Sequence, residues 1–128
     1  MLTADQILAI DDIEIREVPV PEWNGAVHLR VMDGASRDAY DRALINRKND
    51  KRFESIGIRA KLLGYTICDA AGMLIFTEAQ IPELALKSGA VLARLFDIAC
   101  EMNGIGARAE AQAEKNSDSG QSEDTGSN

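Results

Sequence analysis

Histidine occurs once in this chain and cysteine twice, aromatic residues make up only 5%, and no apolar run approaches the roughly 18–20 residues that cross a bilayer. The last shortage argues against a membrane-spanning helix. Cys68 and Cys100 stand far apart, with neither metal-ligand nor redox spacing, and read as small buried hydrophobes. The single histidine, His28, sits in an alternating segment and reads as a solvated strand residue rather than a general base. The glycines never fall into a phosphate-cradling pattern. Asp97 with Glu101, Asp11 with Asp12, and Asp38 with Asp41 read as solvated surface rather than metal ligands. The residues thus supply no argument for an enzyme, and neither a metal nor a cofactor is expected.

Basic residues are in short supply too. Lys and Arg number 14 against 21 Asp and Glu, a net charge of −7, which argues against a nucleic-acid partner because phosphate binding relies on cationic side chains. The opening MLTADQILAIDD has no basic leader and places acids where a signal peptide would be hydrophobic. A protein of the cytoplasm is expected. Residues 110–128 hold five acids (Glu110, Glu114, Asp118, Glu123 and Asp124) against Lys115, with no large apolar side chain. Such a segment cannot offset the entropy of ordering, so residues 116–128 are expected to be an acidic disordered tail and residues 1–115 one domain.

Several turns and helix ends are spelled out locally. Thr3 with Gln6 has capping-box spacing and predicts a short helix over Ala4–Ala9. Asn24-Gly25 between two alternating runs predicts a β-hairpin over residues 18–31, with a two-residue turn that sets Trp23 opposite Ala26, Val20 opposite Leu29 and Val18 opposite Val31. Val18, Val20, Val27, Leu29 and Val31 then form the core face. The other face carries Pro19, Pro21, Trp23, His28 and Arg30. Prolines at 19 and 21 place their strand at a sheet edge or a distortion. Ile13 and Ile15 have the opposite parity, which suggests either a bulge near Arg16 or Glu17, or a separate strand.

Beyond the hairpin, Ser36 is expected to cap a helix running to about Arg47, followed by the charged link RKNDKR. Apolar spacing predicts a second helix over about Phe53–Ile67. DAAG at 69–72 reads as a turn, and MLIF as one strand or an extended link. Thr77 with Gln80 repeats the capping-box spacing, opening a short helix that Pro82 either starts or interrupts. Ser88 and Gly104 bracket a core helix with Val91, Leu92, Leu95, Phe96, Ile98, Ala99 and Met102 on its apolar stripe. Ala107–Lys115 reads as a frayed continuation. The resulting fold class is α+β: a small antiparallel sheet of two or three strands packed against about four helices.

Pro21 and Trp23, rimmed by Glu22 and Arg30, have the composition of a protein-binding hot spot. The alternative is that Trp23 is covered by neighbouring chain and belongs to the core. The order of these motifs over about residues 1–115 resembles the tail assembly chaperones of long-tailed bacteriophages. The segments that carry the resemblance are EVPVPEWNGAVHLRV, GASRDAYDRAL, RAKLLGYTICDAAGMLIFTEAQI and KSGAVLARLFDIACEMNGI.

That resemblance implies a non-enzymatic assembly factor that coats the tape measure protein, helps recruit tail tube subunits and is absent from the mature virion. It implies the shorter of two products, the longer, frameshifted one reaching the major tail tube protein. Self-association into an open spiral or ring is expected, with Pro21, Trp23, His28 and Arg30 as candidate partner-binding residues. The rival expectations are a structural tail component kept in the particle and a small regulatory adaptor.

Overall fold

A computed structural model describes residues 1–46 and 57–106. The expected start of the second helix at Phe53, the RKNDKR link, the continuation over Ala107–Lys115 and the acidic tail from Asn116 lie outside the described residues. Within them the architecture is α+β, as expected. The order is α1 (Ala4–Leu8), β1 (Ile15–Val20), β2 (Gly25–Arg30), α2 (Gly34–Asn46), α3 (Ile58–Gly64), β3 (Ile67–Cys68), α4 (Ile81–Leu84) and α5 (Gly89–Asn103). The strands form one antiparallel sheet in the order β1-β2-β3.

The hairpin has the expected core face from Val18 to Leu29, but Val31 falls past the end of β2 and is only half-buried, and the register differs. Pro21 has its φ preset for a helical start, so Pro21–Trp23 coil into a 3-10 turn in which the Asn24 amide donates to the Pro21 carbonyl at 3.0 Å. Asn24 then takes the left-handed conformation (φ 57°, ψ 38°), and Gly25 is already the first residue of β2. Val18 therefore pairs with Val27 and Val20 with Gly25, rather than with Val31 and Leu29. Because the slide is by an even number of residues, the same side chains stay inside. Val18, Val20 and Leu29 are buried, and Val27 packs against them.

The parity of Ile15 has a simpler origin than a bulge or a separate strand. β1 is unbroken from Ile15 to Val20, with Ile15 opposite Arg30. Ile15 points to the second face of the sheet, where a Cβ placed on Gly72 would come within 3.2 Å of its Cδ1. The 69–72 turn thus sits over that face. Asp69 builds the turn by accepting the Ala71 and Met73 amides at 2.9 Å each, and Gly72 has φ +91°. Leu74 then returns as a single bridge to Cys68.

Two helix ends also differ from expectation. Asp33, not Ser36, caps α2: its Oδ1 accepts the Ser36 amide at 2.7 Å. The predicted helix over Phe53–Ile67 stops at Gly64, with Tyr65 as its cap. Ile67 joins β2 as the third strand, opposite Leu29. The capping at Ser88 and the left-handed Gly104 (φ 66°) that close α5 are as read from the sequence. At the second capping box, the Gln80 side chain accepts the Thr77 amide at 2.9 Å, and Pro82 falls in the first turn of α4 rather than interrupting it.

The core lies between the sheet, α3 and α5. It is built of Val18, Val20, Leu29, Leu62, Leu63, Ile67, Ile81, Leu84, Leu92 and Leu95 among others, with Tyr40 buried from α2. Cys68 and Cys100 are free and buried there, and burial raises both thiol pKa values. Helix α1 is different. Its capping box forms in both directions, yet none of its residues is buried.

Arg30 is the point where these elements meet. It is only 7% exposed, and its Nε, Nη1 and Nη2 donate to the Tyr65 carbonyl (3.3 Å), the Gly72 carbonyl (3.4 Å) and Ser36 Oγ (2.9 Å). Asp33 stands 3.7 Å from Nη1. Just below, Asn103 at the end of α5 accepts the Met32 amide at 2.8 Å and donates to the Arg30 and Ala99 carbonyls.

Two substitutions test this packing by chemical denaturation. Arg30→Met leaves part-buried carbonyls without a donor and is expected to cost roughly 3 kcal/mol, with Arg30→Lys recovering little because a single ammonium cannot reproduce the fork. Gly64→Ala would place a Cβ 2.6 Å from Ile81 Cδ1. Its expected cost is about 1–3 kcal/mol of overpacking, less up to ~1 kcal/mol of helix propensity. Combined with Ile81→Ala, it should cost less than the sum of the two.

Candidate protein-binding surface

The hairpin tip is held against the body by an ion pair that its sequence position does not reveal. Arg94, on the outward side of α5, donates both Nη atoms to the two carboxylate oxygens of Glu22 at 2.8 Å each. This two-pronged geometry suits a guanidinium and a carboxylate. Hydrogen bonding from Arg94 is the main reason that the Glu22 carboxyl is lowered from the ordinary 4.5 to about 2. The same contact raises the Arg94 pKa. Beside this pair, Trp23 is half-buried and packs against the core. Pro21 is exposed.

The four residues singled out from the sequence do not form one outward cluster. Pro21 and Trp23 share the tip. His28 is half-buried in the middle of β2, paired with Cys68, whose Sγ donates to the His28 carbonyl at 3.7 Å. Arg30 was expected to rim the tip and is instead covered. Its direction along the strand is the expected one, but the 69–72 turn and the start of α2 cover that end of the face. Glu22 and Arg94, rather than Arg30, supply the charged rim of the tip.

A second polar cluster lies on α3 and the turn before α4. Tyr65 donates its hydroxyl to Glu78 at 2.8 Å, and Lys61 reaches the same carboxylate at 3.3 Å. The Tyr65 pKa is pushed up to about 12, first by burial and then by Glu78. The Glu78 carboxyl is lowered, first by that hydroxyl. These contacts fasten α3 to the loop ahead of α4. Among the described residues, no group of three or more His, Cys, Asp or Glu side chains comes together as a metal site. No described helix is long and apolar enough to cross a membrane.

Large exposed hydrophobic side chains are the other surface feature. They are Met1, Leu2, Ile7, Leu8 and Ile10 in and around α1, and Ile45, Met73, Ile75 and Leu86 on the body. Sequence reading missed the first group because a capped, amphipathic-looking segment is normally assumed to fold back on its own core. Nothing local to MLTADQILAI distinguishes a covered helix from an uncovered one.

The ion pair at the tip has a testable signature. Arg94→Ala should return the Glu22 carboxyl towards 4.5, as read by NMR titration. The Glu22 pKa is depressed in the folded state, so the bridge contributes fully above pH 4.5 and is lost as pH falls towards 2. In the Arg94→Ala variant, that part of the acid-side loss of stability should be absent.

The sequence matches the family model described as phage tail assembly chaperone over residues 7–117. The fold is similar to the solved structure titled "Structure of bacteriophage HK97 tail assembly chaperone". The TM-score is 0.56 and the identity 20%, over 80% of this chain and 95% of that one. A search of curated protein sequences finds no match. With a family match spanning most of its length, an α+β body of the same fold and a surface marked by exposed apolar side chains, the chain belongs to the phage tail assembly chaperones.

Proposed function

We propose that this protein binds the tape measure protein during tail assembly, assists polymerisation of the tail tube around it and leaves before the virion is complete. The observation that carries this reading, beyond the family itself, is the display of large apolar side chains on a well-packed body. A long helical client offers many similar short segments, and weak repeated contacts to such segments hold it soluble without trapping it. Chemical catalysis has no part in the reading. The displaced carboxyl and phenol groups, Glu22, Glu78 and Tyr65, are accounted for by the contacts that fasten one element to another.

The hairpin tip is the proposed contact on the body. Pro21 is exposed, and Trp23, next to the Glu22–Arg94 bridge in sequence, is half-buried. A rigid aromatic with part of its ring accessible is a common anchor at protein interfaces. His28 sits along the strand from the tip and is a secondary candidate, whereas Arg30 is a scaffold residue. Copies of the chain are proposed to associate head-to-tail, which gives an open spiral or a ring around the client. A longer product that meets the tail tube protein is part of the same proposal, as is action in the host cytoplasm. Residues 1–115 are proposed as the working domain, with residues 116–128 as a solubilising acidic tail.

Co-expression with the tape measure protein and affinity capture test the reading. The client should be retained by the wild type, and Trp23→Ala should weaken capture about tenfold. Mass spectrometry of purified virions should find the chain missing. Its presence there at tube-like copy number would favour the alternative, a structural tail component.

A further inference from the structure

The segment before the sheet is folded, capped and uncovered at once. Thr3 and Gln6 exchange hydrogen bonds of 3.2 and 2.9 Å between side chain and amide, so α1 has a defined start. Every residue from Met1 to Asp12 is nevertheless exposed. Ile7 is 52% accessible, Leu8 83% and Ile10 52%, with Leu2 at 59%. A helix of a single turn and a half has little stability on its own, because the nucleating turn fixes more dihedrals than it gains hydrogen bonds. Packing against something is what normally sustains one.

Charge indicates what that something is. The only charged side chains in residues 1–12 are Asp5, Asp11 and Asp12, three acids and no base. A second copy carries a net charge of −7, so docking the segment on another copy works against the overall field. Two such segments facing each other would oppose acid to acid. A partner that is apolar on one side and basic beside it meets both the apolar side chains and the acids.

Given the chaperone role proposed above, the geometry points to Met1–Asp12 as a docking arm for a cationic amphipathic helix of the client. Leu2, Ile7, Leu8 and Ile10 supply the apolar contact. Asp5, Asp11 and Asp12 face the flanking Lys or Arg. Docking extends the arm's helix by packing, in the manner of short helices that complete themselves on a partner. The hairpin tip lies at the far end of β1 from the root of the arm, so the two contacts are separate.

The test uses the full chain and three fluorescein-labelled synthetic peptides followed by anisotropy. One has a Leu stripe with Lys on the other face, one the same stripe with Glu, and one the Lys positions without the stripe. The first should bind and the other two should bind at least about tenfold more weakly. Ile7→Ser combined with Leu8→Ser should weaken the first peptide about tenfold. Asp11→Asn combined with Asp12→Asn should weaken it about threefold at low salt and flatten its salt dependence.

Thermal melts of both variants should match the wild type, since no residue of the arm is buried. Equal binding by wild type and the Ile7/Leu8 variant overturns the arm as the site, while capture of the tape measure protein by both would leave the chaperone role standing. Failure of the wild type to prefer the first peptide overturns the partner chemistry. Sedimentation showing self-association that is lost in the Ile7/Leu8 variant overturns it too, by assigning the arm to a second copy.

Discussion

A buried guanidinium sets the geometry of this fold. Desolvating Arg30 is costly, and the cost is offset only when acceptors surround its guanidinium. Those acceptors come from four places: the end of α3, the 69–72 turn, the first turn of α2 and Asp33 between β2 and α2. None can shift far without orphaning a donor in a site that water reaches poorly. Asn103 repeats the device beneath it, binding the chain after β2 to the last turn of α5. The long core helix and the central strand are thereby locked at one end by polar contacts. Along the rest of their length they are held by apolar packing.

That lock explains how a small domain can leave apolar surface uncovered at its margins. Chaperone action needs apolar side chains left uncovered, which on a loosely packed body would invite collapse or aggregation. Here the core is closed by Leu95, Leu29 and Val20, and the exposed groups sit on elements that the body either staples or leaves alone. The hairpin tip is stapled, by Glu22 and Arg94. Helix α1 is left alone. Under the function proposed above, these two kinds of surface share one purpose, holding a long partner while a tube grows around it.

Much of the fold was legible because the signals are local. Both capping boxes, Ser88, Gly104 and the DAAG turn each satisfy their hydrogen bonds within a few residues, so the letters alone suffice. Failures fell where a distant partner decides. Ser36 is a good cap in isolation, but Arg30 claims its hydroxyl and Asp33 caps instead. Ile67 continues a helical spacing, but pairing with Leu29 draws it into the sheet. The burial of Arg30 depends on a loop 42 residues away in sequence. The apolar part of the candidate surface was half visible: Trp23 carried a compositional signal, whereas the exposure of Ile7 and Leu8 is a fact about what the body does not cover.

The hairpin holds a further lesson. Two alignments of its strands, four residues apart, bury the same valines and leucine, so hydrophobicity cannot choose between them. The choice falls to Pro21, which coils the tip, and to the far end, where the Val31 amide donates to the Glu14 carbonyl at 2.9 Å. A chain without that proline would have two near-equivalent ways to zip, and the slipped one would carry Trp23 and Glu22 away from Arg94. Proline at this site therefore acts as an indexing pin, selecting one of two equally greasy alignments and with it the position of Trp23.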